Sequence, residues 1–142
     1  MKQYSTENQN ILWGITLKYN KEEFFHYHPK FIKEQQKFIR RHKCPTLKED
    51  LDLLEDMILD DLGEDHRLSA EYHRIVGLKP YVTEPAFIFK DFRCKGIKKG
   101  KKSGFRITFV LYSEHVYFTE IYHKNQKDVE DKDRINDLFR TY

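Results

Sequence analysis

The hydrophobic pattern of this chain changes period part-way along, and no other feature restricts the possible folds as much. Between residues 30 and 62 apolar groups recur every three or four positions, whereas between 87 and 122 they alternate one by one. The first spacing is that of a helix stripe and the second that of a half-buried strand. Helices in one part and strands in another predict an α+β fold. The specific expectation is an N-terminal helical hairpin packed on a twisted antiparallel sheet, followed by a short C-terminal helix.

The segments can be placed individually. Phe31, Ile32, Gln35, Phe38 and Ile39 make one helical stripe between Lys30 and His42, preceded by Pro29, which a first helical turn tolerates. Cys44-Pro45 interrupts it. Thr46-Leu47-Lys48-Glu49 has the form of a capping box, and Leu47, Leu51, Leu54, Ile58 and Leu62 form a second stripe that ends near Gly63. Two helices joined by so short a break fold back on each other.

The strands expected next are Phe87 to Lys95, Phe105 to Tyr112 and Val116 to Tyr122, rich in aromatic and β-branched residues. In the middle strand Phe105, Ile107, Phe109 and Leu111 should face the helices. In the first, Phe92 and Cys94 form the apolar face, and Arg93 and Lys95 share the other. Ile11 to Tyr19 alternates like a further strand, and Phe24 to His28 allows a short one. Ala70 to Arg74 reads as helical or irregular, and Val129 to Phe139 as a short helix.

With 142 residues, one core can form without staples. Eleven Phe and nine Tyr supply that core within a highly charged chain. No apolar run approaches the ~20 residues of a membrane span. Cys44 and Cys94 lie far apart in the chain and match no metal spacing, and MKQYSTENQN lacks the regions of a signal peptide, so a cytoplasmic protein is expected. His26-x-His28 has no obvious third ligand. Neither a metal nor a cofactor is expected.

Charge is unevenly distributed. Residues 48 to 65 hold nine acids against Lys48, while residues 90 to 106 hold eight bases against Asp91. The second segment attracts nucleic acid through phosphate neutralisation and counterion release. Lysines at a hairpin tip are more often only a solvated turn. Here, however, Arg93, Lys95 and Arg106 lie on strands, and the following strand ends in Tyr122-His123-Lys124-Asn125. Metal-free RNA cleavage needs a group to take the ribose 2′-OH proton, cations for the phosphorane and a donor for the leaving oxygen. His123, with an ordinary pKa near ~6.5, is the side chain suited to proton transfer.

Several motifs together resemble the RelE/HigB branch of the RelE/ParE toxin superfamily. They are Pro45 to Leu51, Arg74 to Leu78, Phe92 to Lys95, Gly100 to Ile107 and Glu120 to Asn125. The resemblance covers about residues 24 to 139. It makes residues 1–23 an N-terminal extension and 24–142 the toxin domain. It implies a type II toxin acting as a ribosome-dependent, metal-independent mRNA endoribonuclease, with the ribosome, mRNA and a cognate antitoxin as partners. By that likeness Arg93 and Lys95 match strand bases in phosphate contact or catalysis, Arg106 a transition-state arginine, and Lys124 a catalytic or RNA-contacting base. Tyr122 and His123 complete the expected catalytic set, the histidine on its chemistry alone. Lys90, Lys98, Lys99, Lys101 and Lys102 are expected to bind RNA or the ribosome. The superfamily also holds ParE-like gyrase poisons, and a non-catalytic RNA-binding module would share the same basic surface.

Overall fold

A computed structural model describes residues 11–12, 15–16, 21–65, 71–97 and 103–140. The elements are β1 (Ile11–Leu12), β2 (Ile15–Thr16), α1 (Lys21–Phe24), β3 (Phe25–Tyr27), α2 (Pro29–Arg40), α3 (Leu47–Asp65), β4 (Tyr72–Arg74), β5 (Ala86–Phe89), β6 (Phe105–Tyr112), β7 (His115–His123) and α4 (Lys132–Leu138). The fold is α+β. Five strands form one sheet in the order β3-β7-β6-β5-β4, and β1 pairs with β2 separately.

Two hydrophobic clusters occupy the two faces of the sheet. On one, Phe31 and Phe38 of α2 and Leu47, Leu51, Leu54 and Ile58 of α3 meet Phe105, Ile107, Phe109, Phe118 and Ile121. On the other, Ile135 of α4 packs with Ile75, Ala86, Ile88, Val110 and Tyr122. The alternation expected for β6 is therefore realised. Ile32 is the exception in the α2 stripe: it is 41% exposed, because the buried line runs through Phe31 and Phe38 at a spacing of seven.

Several expectations need correction. The sheet is mixed, since β3 runs parallel to β7 with Phe25 opposite Val116 and Tyr27 opposite Phe118. The chain leaves β3 directly into α2 and α3 and next enters the sheet as β4 at the opposite edge, so β3 meets its parallel neighbour β7 only after β4, β5 and β6 have followed in sequence. Ile11–Leu12 and Ile15–Thr16, expected on one strand, instead pair antiparallel with each other, and the rest of the strand expected over residues 11 to 19 lies outside the described residues. Tyr72–Arg74, expected to be helical or irregular, is an edge strand on β5. The strand expected over Phe87 to Lys95 stops at Phe89. Phe89 and Phe92 both enter the helix-side cluster, and a spacing of three breaks the alternation between them. Helix α3 continues past Gly63 to Asp65. The Thr46 hydroxyl forms no capping box in α3; it donates to Asp50 Oδ2 at 2.7 Å and accepts from the Gly96 N–H at 2.8 Å.

Strands β6 and β7 are joined by a two-residue turn, with Tyr112 opposite His115 and positive φ at Ser113 and Glu114 (47° and 67°). That is the pairing whose twist suits a tight hairpin. Farther along, the β6–β7 register shifts between Thr108 and Phe109: Thr108 faces Glu120 and Phe109 faces Phe118, so Thr119 is the additional residue of a bulge. Its hydroxyl lies 2.6 Å from that of Thr108. The backbone groups on the open side of β7 are taken up by an ion pair. Arg134 Nη1 donates to the Thr119 carbonyl at 2.8 Å, the Ile121 N–H donates to Glu34 Oε1 at 3.2 Å, and Arg134 holds Glu34 at 3.0 and 2.9 Å. Among the described residues no helix is long and apolar enough to cross a membrane.

Because the Arg134 side chain is only 9% exposed, Arg134→Ala strands Glu34 and the Thr119 carbonyl together and should cost roughly 3 kcal/mol in urea unfolding. Glu55 provides a pH test. It accepts from the Tyr27 hydroxyl and lies 3.7 Å from Lys21, and burial raises its carboxyl above the ordinary value despite both partners. A raised folded pKa means that its contribution is fully present below the unfolded value of ~4.3 and is lost as pH rises through the folded value. Stability should fall over that interval in the wild type, and Glu55→Gln should flatten the profile.

Candidate functional site

Of the expected site residues, Arg106, Tyr122, His123 and Lys124 lie at the end of the sheet where β6 begins and β7 ends. Arg106 lies directly opposite Tyr122, and Phe105 opposite His123. Beyond the last pair, the Lys124 N–H donates to the Gly104 carbonyl at 2.9 Å. Ser103 Oγ donates to the Phe92 carbonyl at 2.6 Å, which carries Arg93 to the same end. Arg93, Lys95, Lys90 and Lys124 are exposed, and Arg106 is half-buried. Lys98, Lys99, Lys101 and Lys102 lie outside the described residues.

The bulge determines which side chains share a face. On β7, Val116 and Phe118 enter the helix-side cluster, and after the additional residue Ile121 does so too. Tyr122 therefore turns to the α4 side, where it is buried with Val110 and Ile135. Directly opposed residues in a ladder have their side chains on the same face, so Arg106 accompanies Tyr122. Burial raises the Tyr122 hydroxyl above its usual pKa, and the Arg106 guanidinium opposes that shift. The hydroxyl itself has no hydrogen-bond partner of good geometry.

His123 faces the other way. Its ring packs edge-on against Phe105 with centroids 5.1 Å apart. Nδ1 accepts from the Asn125 N–H at 3.1 Å, so Nε2 carries the proton and donates to the Ser103 carbonyl at 2.9 Å. Both ring nitrogens are thus engaged by backbone groups. Its role in this arrangement is to join β7 to the start of β6.

Lys127, not singled out from the sequence, belongs to this corner together with Glu120. Lys127 places its ammonium 5.2 Å from the Tyr122 ring centroid while pairing with the buried carboxylate of Glu120. Glu120 also accepts from the Asp131 N–H at 2.8 Å, which ties the strand end to the start of α4. The available sequence signal for Lys127 was only its position five residues after Tyr122, on a segment without periodicity. Lys95 stands apart from the corner, with its backbone N–H donating to Asp50 Oδ2 at 3.2 Å.

The His26-x-His28 pair is divided. His26 meets His115 of β7 at 2.9 Å, whereas His28 caps α2 by accepting from the Lys30 N–H at 3.0 Å. The cysteines, remote in the chain, are joined as Cys44–Cys94 across a sequence separation of 50.

The arrangement can hold a polyanion. Arg106 and Lys124 sit at one strand end, with exposed Arg93 on the neighbouring segment and an aromatic ring beside them. Guanidinium groups suit the equatorial oxygens of a phosphorane, and an ammonium can move a proton or contact a phosphate. Comparison with protein-family models, with curated proteins and with solved structures finds no match.

Gly104 keeps the corner together. Its φ is +88°, and a Cβ there would meet His123 Nε2 at 2.6 Å. Gly104→Ala should destabilise the chain by about 2 kcal/mol. In a double-mutant cycle His123→Ala should restore the steric share, leaving a smaller loss than the two single changes sum to.

Proposed function

We propose that the chain is a toxin of the RelE/HigB branch of the RelE/ParE superfamily, a ribosome-dependent endoribonuclease that cuts mRNA without a metal and is held in check by a cognate antitoxin. The observation that carries this proposal is the register at the β6–β7 end, which sets Arg106 opposite Tyr122, with Lys124 just beyond the last pair. In the proposed reaction the ribose 2′-oxygen attacks the adjacent phosphorus and the 5′-oxygen leaves. Arg106 and Arg93 stabilise the phosphorane, the 2′-hydroxyl gives its proton to solvent, and the Lys124 ammonium protonates the leaving 5′-oxygen and regains a proton from solvent. Tyr122 supports Arg106 from beneath. Lys90 and Lys95, with the lysines of residues 98–102, hold the ribosome through phosphate contacts. His123 is assigned to holding the strand end and not to proton transfer. Ribosomes and mRNA as targets place the chain in the cytoplasm.

The test is cleavage in a translating extract, followed by primer extension. Arg106→Gln should reduce cleavage by about 10²–10³-fold while ribosome affinity changes only several-fold. Equal losses in both would mark a binding module. Growth arrest with intact transcripts would sink the nuclease assignment, and accompanying DNA damage would transfer the chain to the gyrase-poisoning branch.

A further inference from the structure

A second constellation lies away from that corner, where the α2–α3 turn meets the segment after β5. Cys44 and Cys94 are fully buried and bonded, with Cα atoms 6.1 Å apart. Against them sits Asp50, 3% exposed. Its Oδ2 accepts from the Thr46 hydroxyl at 2.7 Å and from the Lys95 N–H at 3.2 Å, whereas Oδ1 is buried with no hydrogen-bond partner. Among the described residues no Lys, Arg or His forms an ion pair with it. A buried carboxylate without countercharge is unfavourable, and a cation is what would complete it.

The ligand atoms of Cys44, Asp50 and Cys94 all lie within 4.8 Å of one another. In a tetrahedral zinc site, bonds of ~2.3 Å to sulfur and ~2.0 Å to oxygen put neighbouring S and O atoms roughly 3.5 Å apart. Cys44 Sγ is 3.6 Å from Asp50 Oδ2. Thr46 Oγ1, 3.8 Å from Cys94 Sγ, offers a neutral oxygen for a fourth position. The two sulfurs must separate to roughly 3.8 Å, and Thr46 Oγ1 and Asp50 Oδ2, 2.7 Å apart, to roughly 3.3 Å. The surrounding turn is already packed: the Gly96 N–H donates to Thr46 Oγ1, and a Cβ at Gly96 would meet Pro45 Cδ at 3.0 Å.

We propose that Cys44, Cys94 and Asp50 form a binding site for one Zn²⁺ or similar thiophilic divalent cation when the cysteines are reduced, so that disulfide and metal are alternative closures of the same joint. Reduction is by a dithiol. One of its thiolates attacks a cysteine sulfur and breaks the S–S bond, and its second thiol resolves the mixed disulfide, leaving the dithiol oxidised and two cysteine thiols. Each thiol then loses its proton to solvent as its sulfur bonds the cation. Two thiolates and the Asp50 carboxylate surround the +2 charge, and the buried carboxylate gains the countercharge it lacks. A reducing compartment keeps cysteines in the form that binds metal. Either closure ties the segment carrying Arg93 and Lys95 to α3. The metal is structural and stands whether or not the chain cuts RNA.

The full chain, reduced by a phosphine that does not compete for metal, is titrated with Co²⁺ without oxygen. The expected result is one ion per chain, with a thiolate-to-cobalt charge-transfer band that Zn²⁺ bleaches. The disulfide form should show no such band, and Asp50→Asn should weaken binding at least about tenfold. Absence of the band in the reduced wild type overturns the site, as does Co²⁺ affinity unchanged by Asp50→Asn in a variant whose circular dichroism is native. If that variant does not fold, Cys94→Ser replaces it, and retention of the full band there is equally fatal.

Discussion

The Glu34–Arg134 pair connects the two layers that cover the sheet. Glu34 comes from α2 on one side and Arg134 from α4 on the other, and they meet at the bulged part of β7. Strand β3 pairs with β7 only as far as Phe118, so the next backbone groups on that edge would be left without partners. Arg134 takes the Thr119 carbonyl and Glu34 takes the Ile121 N–H. Buried peptide groups cannot be left unpaired cheaply, so the bulge and the ion pair need each other.

The corner proposed for chemistry inherits its orientation from that bulge. Without the additional residue at Thr119, the side that buries Val116 and Phe118 would also receive Tyr122, and His123 would join Arg106. With it, Tyr122 goes beneath Arg106 and His123 goes against Phe105. The same residue types at the same sequence positions would make a different site if the strand were regular. Helix α4 closes the arrangement through Glu120, whose buried carboxylate is held by Lys127 and the Asp131 N–H.

Helix α3 illustrates how one sequence segment can have separate roles on its two sides. Its apolar stripe supplies the core, and Glu49, Asp52, Asp56 and Asp60 are solvated, but Asp50 and Glu55 turn inward. Glu55 finds Tyr27 and Lys21. Asp50 lies against the cysteine pair and accepts from a hydroxyl and a backbone amide.

Much of the architecture was legible because hydrophobic period is a local property. The stripes Leu47 to Leu62 and Phe105 to Leu111 depend only on side-chain spacing, so the α3 core face and both faces of β6 could be read directly. So could the basic segment and the burial of Phe92 and Cys94 against the exposure of Arg93 and Lys95. Pairing direction, bulges and cross-chain contacts are not local. The parallel β3–β7 neighbour, the edge strand Tyr72–Arg74 and the meeting of Cys44 with Cys94 depend on residues distant in the chain. The sequence by itself determined that helices would cover a sheet and that bases would collect beside one strand end. Only the tertiary structure decided which side chains share a face there, because one additional residue in β7 reverses the alternation on which any strand reading relies.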